Sequence, residues 1–249
     1  MILLNNNQIN VTKFPDNTSQ VWNIGNNLSS NHINKIQWNF EDESELFHLI
    51  QLITLIKKLD PISTNDLHIP FLPYSRQDKV ISDQTTFALT PFVSVIESLG
   101  FDIVSTVDVH NPNSIPKHWR NIIPVNRIRE VIEKVQPHLI CFPDEGAANR
   151  GYPTNNVSSF SLEKKRCQFT GSIESLKLSR PVNVKSRSIL IIDDLCDRGG
   201  TFIRAAELLN NLGASVISLY TTHGIYSGGK DLILDGGIDR LFNLTEEIW

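Results

Sequence analysis

The stretch Leu190-Ile-Ile-Asp-Asp-Leu-Cys-Asp-Arg-Gly-Gly-Thr201 limits the possible folds of this chain more than any other. The stretch Ser188–Ile192, apolar from Ile189 onward, reads as a strand buried on both faces, and such a strand needs helices above and below it. Two carboxylates, Asp193 and Asp194, follow at its carboxyl end. A short loop with Gly199 and Gly200 comes next. The positions Phe202, Ala205, Ala206, Leu208, Leu209 and Leu212 then mark one face of a helix that Gly213 is placed to end.

Other stretches repeat this alternation. Residues 102–109 and 137–142 read as strands, and residues 127–135 as a helix; residues 92–99 read as the end of a helix stopped by Gly100. An apolar run at 68–72 is closed by Pro73. The expected fold class is α/β with parallel sheets flanked by helices. Ten positions separate Gly100 from His110, and ten separate Gly213 from His223; each pair brackets the same helix, glycine, strand, histidine order. That symmetry suggests two similar units in tandem, residues 1–125 and 126–249. Residues 5–10 and 23–34 are Asn-rich and read as turns. Residues 158–175 are polar and basic with little periodicity, and read as a mobile loop.

Composition excludes some roles. Of 249 residues, 40% are hydrophobic and the net charge is -4, which leaves no overall basic footprint for nucleic acid. Three cysteines in no paired spacing read as reduced thiols of a cytoplasmic protein. No apolar run reaches membrane-spanning length, and the Asn-rich start is unlike a secretory leader.

The Asp-Asp and Gly-Gly string carries the chemistry. Glycines let backbone N–H groups approach an anion, and a helix N-terminus adds partial positive charge. Thr201 offers a hydroxyl and Arg198 a fixed cation, while Asp193 and Asp194 suit paired sugar hydroxyls. The loop from Asp197 to Thr201 therefore reads as a holder for a phosphorylated sugar. On residue type alone, Lys164, Lys165 and Arg166 read as a solvated charge run, and His110 as a structural histidine.

At this string the chain resembles the phosphoribosyltransferase superfamily, and further segments resemble the ribose-phosphate pyrophosphokinases. Tyr74-Ser-Arg-Gln-Asp78 is similar to a segment that holds ATP, which implies ATP contacts for Arg76 and Gln77. Val107-Asp-Val-His110 and Phe142-Pro-Asp-Glu-Gly146, followed by Arg150, resemble metal-site segments. The resemblance implies that His110 and Asp144 serve an ATP-bound magnesium, and that Lys164 and Arg166 are catalytic. Thr222-His-Gly-Ile-Tyr-Ser-Gly228 also matches a family stretch. Phe14-Pro-Asp16 is similar to a segment that reaches the adenine site of a neighbouring subunit, with Thr18 where the family carries Glu. The implied fold is two tandem phosphoribosyltransferase-like domains in a homo-oligomer, a dimer or larger.

The implied activity is magnesium-dependent transfer of diphosphate from ATP to the anomeric hydroxyl of a ribose 5-phosphate moiety, with release of AMP. Two alternatives belong to other classes: a phosphoribosyltransferase that consumes PRPP, and a non-catalytic regulatory subunit. Arg198 replaces a small or hydroxylated residue of the family pattern. A guanidinium there suits a second phosphate on the acceptor, so ADP-ribose stands beside ribose 5-phosphate as the expected acceptor. Residues 38–60 also depart from the family pattern and run from Trp38 into an apolar helix.

Overall fold

The computed structural model describes residues 1–77, 82–166 and 173–248, with backbone alone at 165, 166, 173 and 174. The chain divides into two compact units, Met1–Ile122 and Ile123–Trp249.

In the first unit the elements are β1 (Ile2–Leu4), β2 (Asn7–Gln8), β3 (Asn10–Lys13), β4 (Ser19–Trp22), β5 (Ile33–Trp38), α1 (Ser44–Leu59), β6 (Thr64–Ile69), α2 (Leu89–Ser98), β7 (Ile103–Val107) and β8 (Arg120–Ile122). Strands β5 to β8 are parallel and lie in chain order, with β1 and β2 added antiparallel at one edge. The pair β3–β4 is a separate antiparallel hairpin. Apolar residues of α1 fall at Leu49, Leu52, Ile53 and Ile56, a helical stripe that is fully buried. Trp38 Nε1 donates to Glu45 Oε2 at 2.9 Å and ties the end of β5 to the start of α1. Lys57 in the last turn of α1 donates to the carbonyls of Leu99 and Gly100, at 2.8 and 3.2 Å, and so satisfies the end of α2.

In the second unit the elements are α3 (Val125–Val135), β9 (Leu139–Phe142), α4 (Glu145–Ala148), β10 (Ser159–Arg166), β11 (Ile173–Leu178), β12 (Ser188–Cys196), α5 (Gly200–Asn211), β13 (Val216–Gly224), α6 (Asp231–Asp235), β14 (Arg240–Phe242) and β15 (Glu247–Ile248). The sheet order is β11-β10-β9-β12-β13-β14-β15, parallel from β10 to β14. Alternation along β12 splits the core in two. Ile189 and Ile191 pack with Phe202, Ala205, Ala206 and Leu209 of α5. Leu190 and Ile192 pack with Ile128, Val131 and Ile132 of α3. Burial on both faces is what the unbroken apolar run required.

Most of the expected elements are present. The glycines that bracket the internal symmetry, Gly100 and Gly213, both adopt left-handed backbone, with φ of +64° and +87°, where glycine ends a helix at no steric cost. The Asn-rich stretches are turns only in part: Asn5, Asn6 and Asn23 have positive φ, but Asn7–Gln8, Asn10, Ile33 and Asn34 lie in β2, β3 and β5. Three further expectations need correction. Strand β12 does not stop before the acidic pair but continues to Cys196, because β13 pairs with it along that whole length. Leu212 does not join the helix's buried face and is 41% exposed. Of residues 158–175, read as a mobile loop, 167–172 lie outside the described residues; on either side the chain is strand, and β10 pairs antiparallel with β11, with Leu162 opposite Leu178 and Lys164 opposite Leu176. Phe160 and Leu162 bury on one side of β10, a two-residue period too short to stand out among the surrounding charges.

Candidate active site

The parallel strands of the second unit, taken in chain order, lie 2-1-3-4-5 across the sheet, so the order reverses between β9 and β12. Ligands of open α/β sheets bind in the crevice at that reversal, beyond the carboxyl ends of the strands. The residues there are Asp144, just past β9, and Asp193 to Thr201, at the end of β12.

Asp144 starts α4, and its Oδ1 accepts from Ala147 N–H at 2.9 Å. Its other oxygen accepts from the ammonium of Lys164 on β10. Parallel pairing sets Ser161 beside Phe142; Asp144 lies two residues beyond Phe142 and Lys164 three beyond Ser161, within reach of each other. Burial pushes the Asp144 carboxyl up, but the Lys164 hydrogen bond and charge, with the Ala147 amide, outweigh it and hold the group below the usual carboxylate range. Asp194 is buried and pairs with Arg150 at 3.1 Å. Its backbone N–H donates to Asp193 Oδ1 at 2.9 Å. Desolvation, then the charge of Asp194, push the Asp193 carboxyl well up, and Asp144 adds to the effect. Three carboxylates thus share a crevice with two cations.

The loop after β12 is shaped by glycine. Gly199 has φ of +74°, and a Cβ there would meet Ile233 Cγ1 at 2.7 Å, so α6 packs directly under the turn. The N–H groups of Gly200 and Thr201 open α5 and have no acceptor inside the helix. Asp197 accepts from the Ser227 hydroxyl, which joins the loop to the segment after β13. Arg198 is exposed and forms no ion pair among the described residues. The Cys196 thiol, buried at the loop's base, is pushed up to about 12 by burial and by the charges of Asp197 and Asp193, so it is no nucleophile at neutral pH. Arg166 is the last residue of β10, and its side chain lies outside the described residues, as does Asp78.

In the first unit Arg76 and Gln77 follow β6, and His110 follows β7, its direct neighbour in the sheet. Val107 N–H donates to the Pro70 carbonyl at 3.1 Å and links the two connections. All three side chains are exposed. Arg76 and Gln77 follow a tight turn at Tyr74, which has φ of +63° and whose hydroxyl donates to Glu43 at 2.6 Å. Phe14 and Asp16 lie at the exposed tip of the β3–β4 hairpin. Asp16 Oδ1 there accepts from the N–H and hydroxyl of Thr18, at 3.0 and 2.7 Å. The residue in the family's Glu position therefore fixes the turn's own aspartate.

Sequence reasoning placed Arg150 in a family-like segment but missed its buried partner. A lone arginine six residues after Asp144 gives no signal of which carboxylate it will meet.

Comparison with known proteins adds to this geometry. Residues 151–245 match the phosphoribosyl transferase domain. A ribose-phosphate pyrophosphokinase of Thermococcus kodakarensis is 29% identical over 97% of this chain and 84% of its own length. One of Pyrococcus furiosus is 30% identical over 72% of this chain, and the match spans 63% of that enzyme. Over nearly its whole length the chain is similar to the ribose-phosphate pyrophosphokinases. A crystal structure of phosphoribosylpyrophosphate synthetase from Mycobacterium smegmatis superposes with a TM-score of 0.72 at 18% identity, covering 95% of this chain and 79% of that one. That likeness supports a fold of two tandem phosphoribosyltransferase-like domains, with parallel sheets flanked by helices. Among the described residues, no helix is long and apolar enough to cross a membrane.

Proposed function

We propose that the chain transfers the terminal diphosphoryl group of ATP to the anomeric hydroxyl of a ribose 5-phosphate moiety and releases AMP. The observation that carries this reading is the crevice between β9 and β12, where a backbone anion cradle and an acidic pair stand side by side. Asp193 and Asp194 take the sugar hydroxyls, and Asp197, Gly199, Gly200 and Thr201 take the 5-phosphate. Arg76, Gln77 and His110 of the first unit serve ATP. The exposed hairpin tip with Phe14 and Asp16 suits contact with adenine in a second copy of the chain.

The anomeric oxygen attacks the β-phosphorus as the bond from that phosphorus to the α,β-bridging oxygen breaks. The hydroxyl proton is lost, and AMP keeps the bridging oxygen. Such a transfer depends on positioning and charge neutralisation more than on covalent help from the protein. Lys164 and Arg166 supply positive charge to the transferred group.

The residues fit magnesium as a cofactor. Hard carboxylate oxygens outnumber the cations in the crevice, and magnesium bound with a nucleotide needs only one or two protein ligands beside phosphate and water. Asp144 is the residue of this crevice that would hold it, and it would neutralise charge on the ATP oxygens.

The acceptor is assigned to two candidates, ribose 5-phosphate and ADP-ribose. The second is favoured by Arg198, an exposed guanidinium at the lip of a cradle that already satisfies one phosphate. The test supplies ATP and magnesium with each acceptor and follows AMP. Formation of ADP instead would mean that a single phosphoryl group moves, and would overturn the reading.

A further inference from the structure

The connection from β9 to β10 delivers two groups to the crevice. One is Asp144, held by Lys164. The other is Arg150, whose guanidinium reaches Asp194 at 3.1 Å with both side chains almost wholly buried, 8% and 6% exposed. The chain on either side fixes the direction of Arg150. Its N–H donates to the Ala147 carbonyl at 3.3 Å, at the end of α4. Gly151 turns the chain with φ of +77°. Tyr152 is then buried, with its ring stacked 6.4 Å from that of Phe142.

We propose that Arg150 is a positioning residue for the acceptor sugar, acting through Asp194, which it holds in the orientation that receives the ribose hydroxyls. This rests on the proposed reaction and deepens it. Asp194 sits against Asp193, which accepts its backbone N–H, and near Asp144. A buried carboxylate so placed, without a cation, turns away from its neighbours or takes up a proton. Either response removes an acceptor from the sugar site. Arg150 prevents both, and the planar guanidinium also sets the tilt of the carboxylate. The hydroxyls are bound equally in the ground state and during transfer, so the effect falls on acceptor KM rather than on turnover.

The test compares Arg150→Met and Arg150→Lys with the parent. Arg150→Met is expected to raise the KM for the acceptor at least about tenfold, with the KM for ATP and kcat nearly unchanged. Arg150→Lys keeps the buried cation but not the planar fork, and is expected to raise acceptor KM by a smaller factor. Should Arg150→Met not fold, Arg150→Lys decides by the same criterion. An unchanged acceptor KM, or equal rises for acceptor and ATP, overturns the proposal. If the parent releases no AMP with either acceptor, the reaction itself is wrong. Calorimetric titration with ribose 5-phosphate then judges Arg150 separately: weaker binding by the variant supports its role, and equal binding overturns it.

Discussion

Lys164, near the end of β10, donates its ammonium to the carboxylate of Asp144, just past the end of β9. One proposed catalytic cation therefore rests on one proposed metal ligand. In that position the Lys164 ammonium is at hand to turn from Asp144 to the phosphates of an arriving nucleotide. Lys164→Ala is accordingly expected to lower kcat on the order of a hundredfold, with a much smaller change in the KM for ATP. Steady-state kinetics checks this, and equal losses in both would mean that Lys164 only holds substrate.

The same pair predicts a pH dependence of stability. Burial raises the Asp144 carboxyl, and Lys164 with the Ala147 amide more than reverses that, so the folded group lies below its ordinary 3.8. A depressed carboxylate stabilises the fold above its unfolded value, and that contribution is lost as pH falls through the folded value. The Tm gap between the parent and Lys164→Met is therefore expected to be full near neutral pH and to narrow below pH 3.8. Thermal melts across that range test it, and a gap independent of pH would contradict it.

Gly199 and Gly200 are adjacent but not equivalent. Gly199 is left-handed and faces Ile233 at 2.7 Å from a would-be Cβ, whereas Gly200 has ordinary backbone and open space. Gly199→Ala is expected to destabilise the fold by about 1–3 kcal/mol. Gly200→Ala is expected to leave Tm nearly unchanged and to weaken acceptor binding, because its methyl enters the space open to the anion. Melts and acceptor KM values separate the two.

Much of this was legible in the sequence for a physical reason. Residues 188–192 and the helical stripe of α5 report burial directly, and Gly199 and Gly213 mark turns by their own conformational freedom. What escaped depends on pairing across the fold. Strand β12 extends to Cys196 because β13 lies beside it, and no local pattern shows that. Residues 159–166 read as part of a loop because their charges mask the alternation of Phe160 and Leu162. The Arg150–Asp194 pair spans more than forty positions, a distance at which residue types give no guidance. Thr18 stands out as a departure in the sequence, yet only the structure shows its bonds to Asp16.

Arg198 gives a prediction about acceptor choice. It is exposed at the lip of the cradle and makes no ion pair among the described residues. A guanidinium bound to a second phosphate is worth about tenfold to a hundredfold in affinity. Arg198→Thr is expected to lower kcat/KM for ADP-ribose by that factor and to leave ribose 5-phosphate nearly unaffected. Equal losses on both acceptors would remove the argument for a second phosphate.

The most direct test of the central claim follows phosphorus through the reaction. The protein is incubated with ATP, magnesium and each acceptor, and the nucleotide and sugar products are resolved by phosphorus NMR. The account predicts AMP in equal amount to a new sugar species carrying a diphosphate on its anomeric carbon. ADP with a singly phosphorylated sugar, or no consumption of ATP with either acceptor, would contradict it.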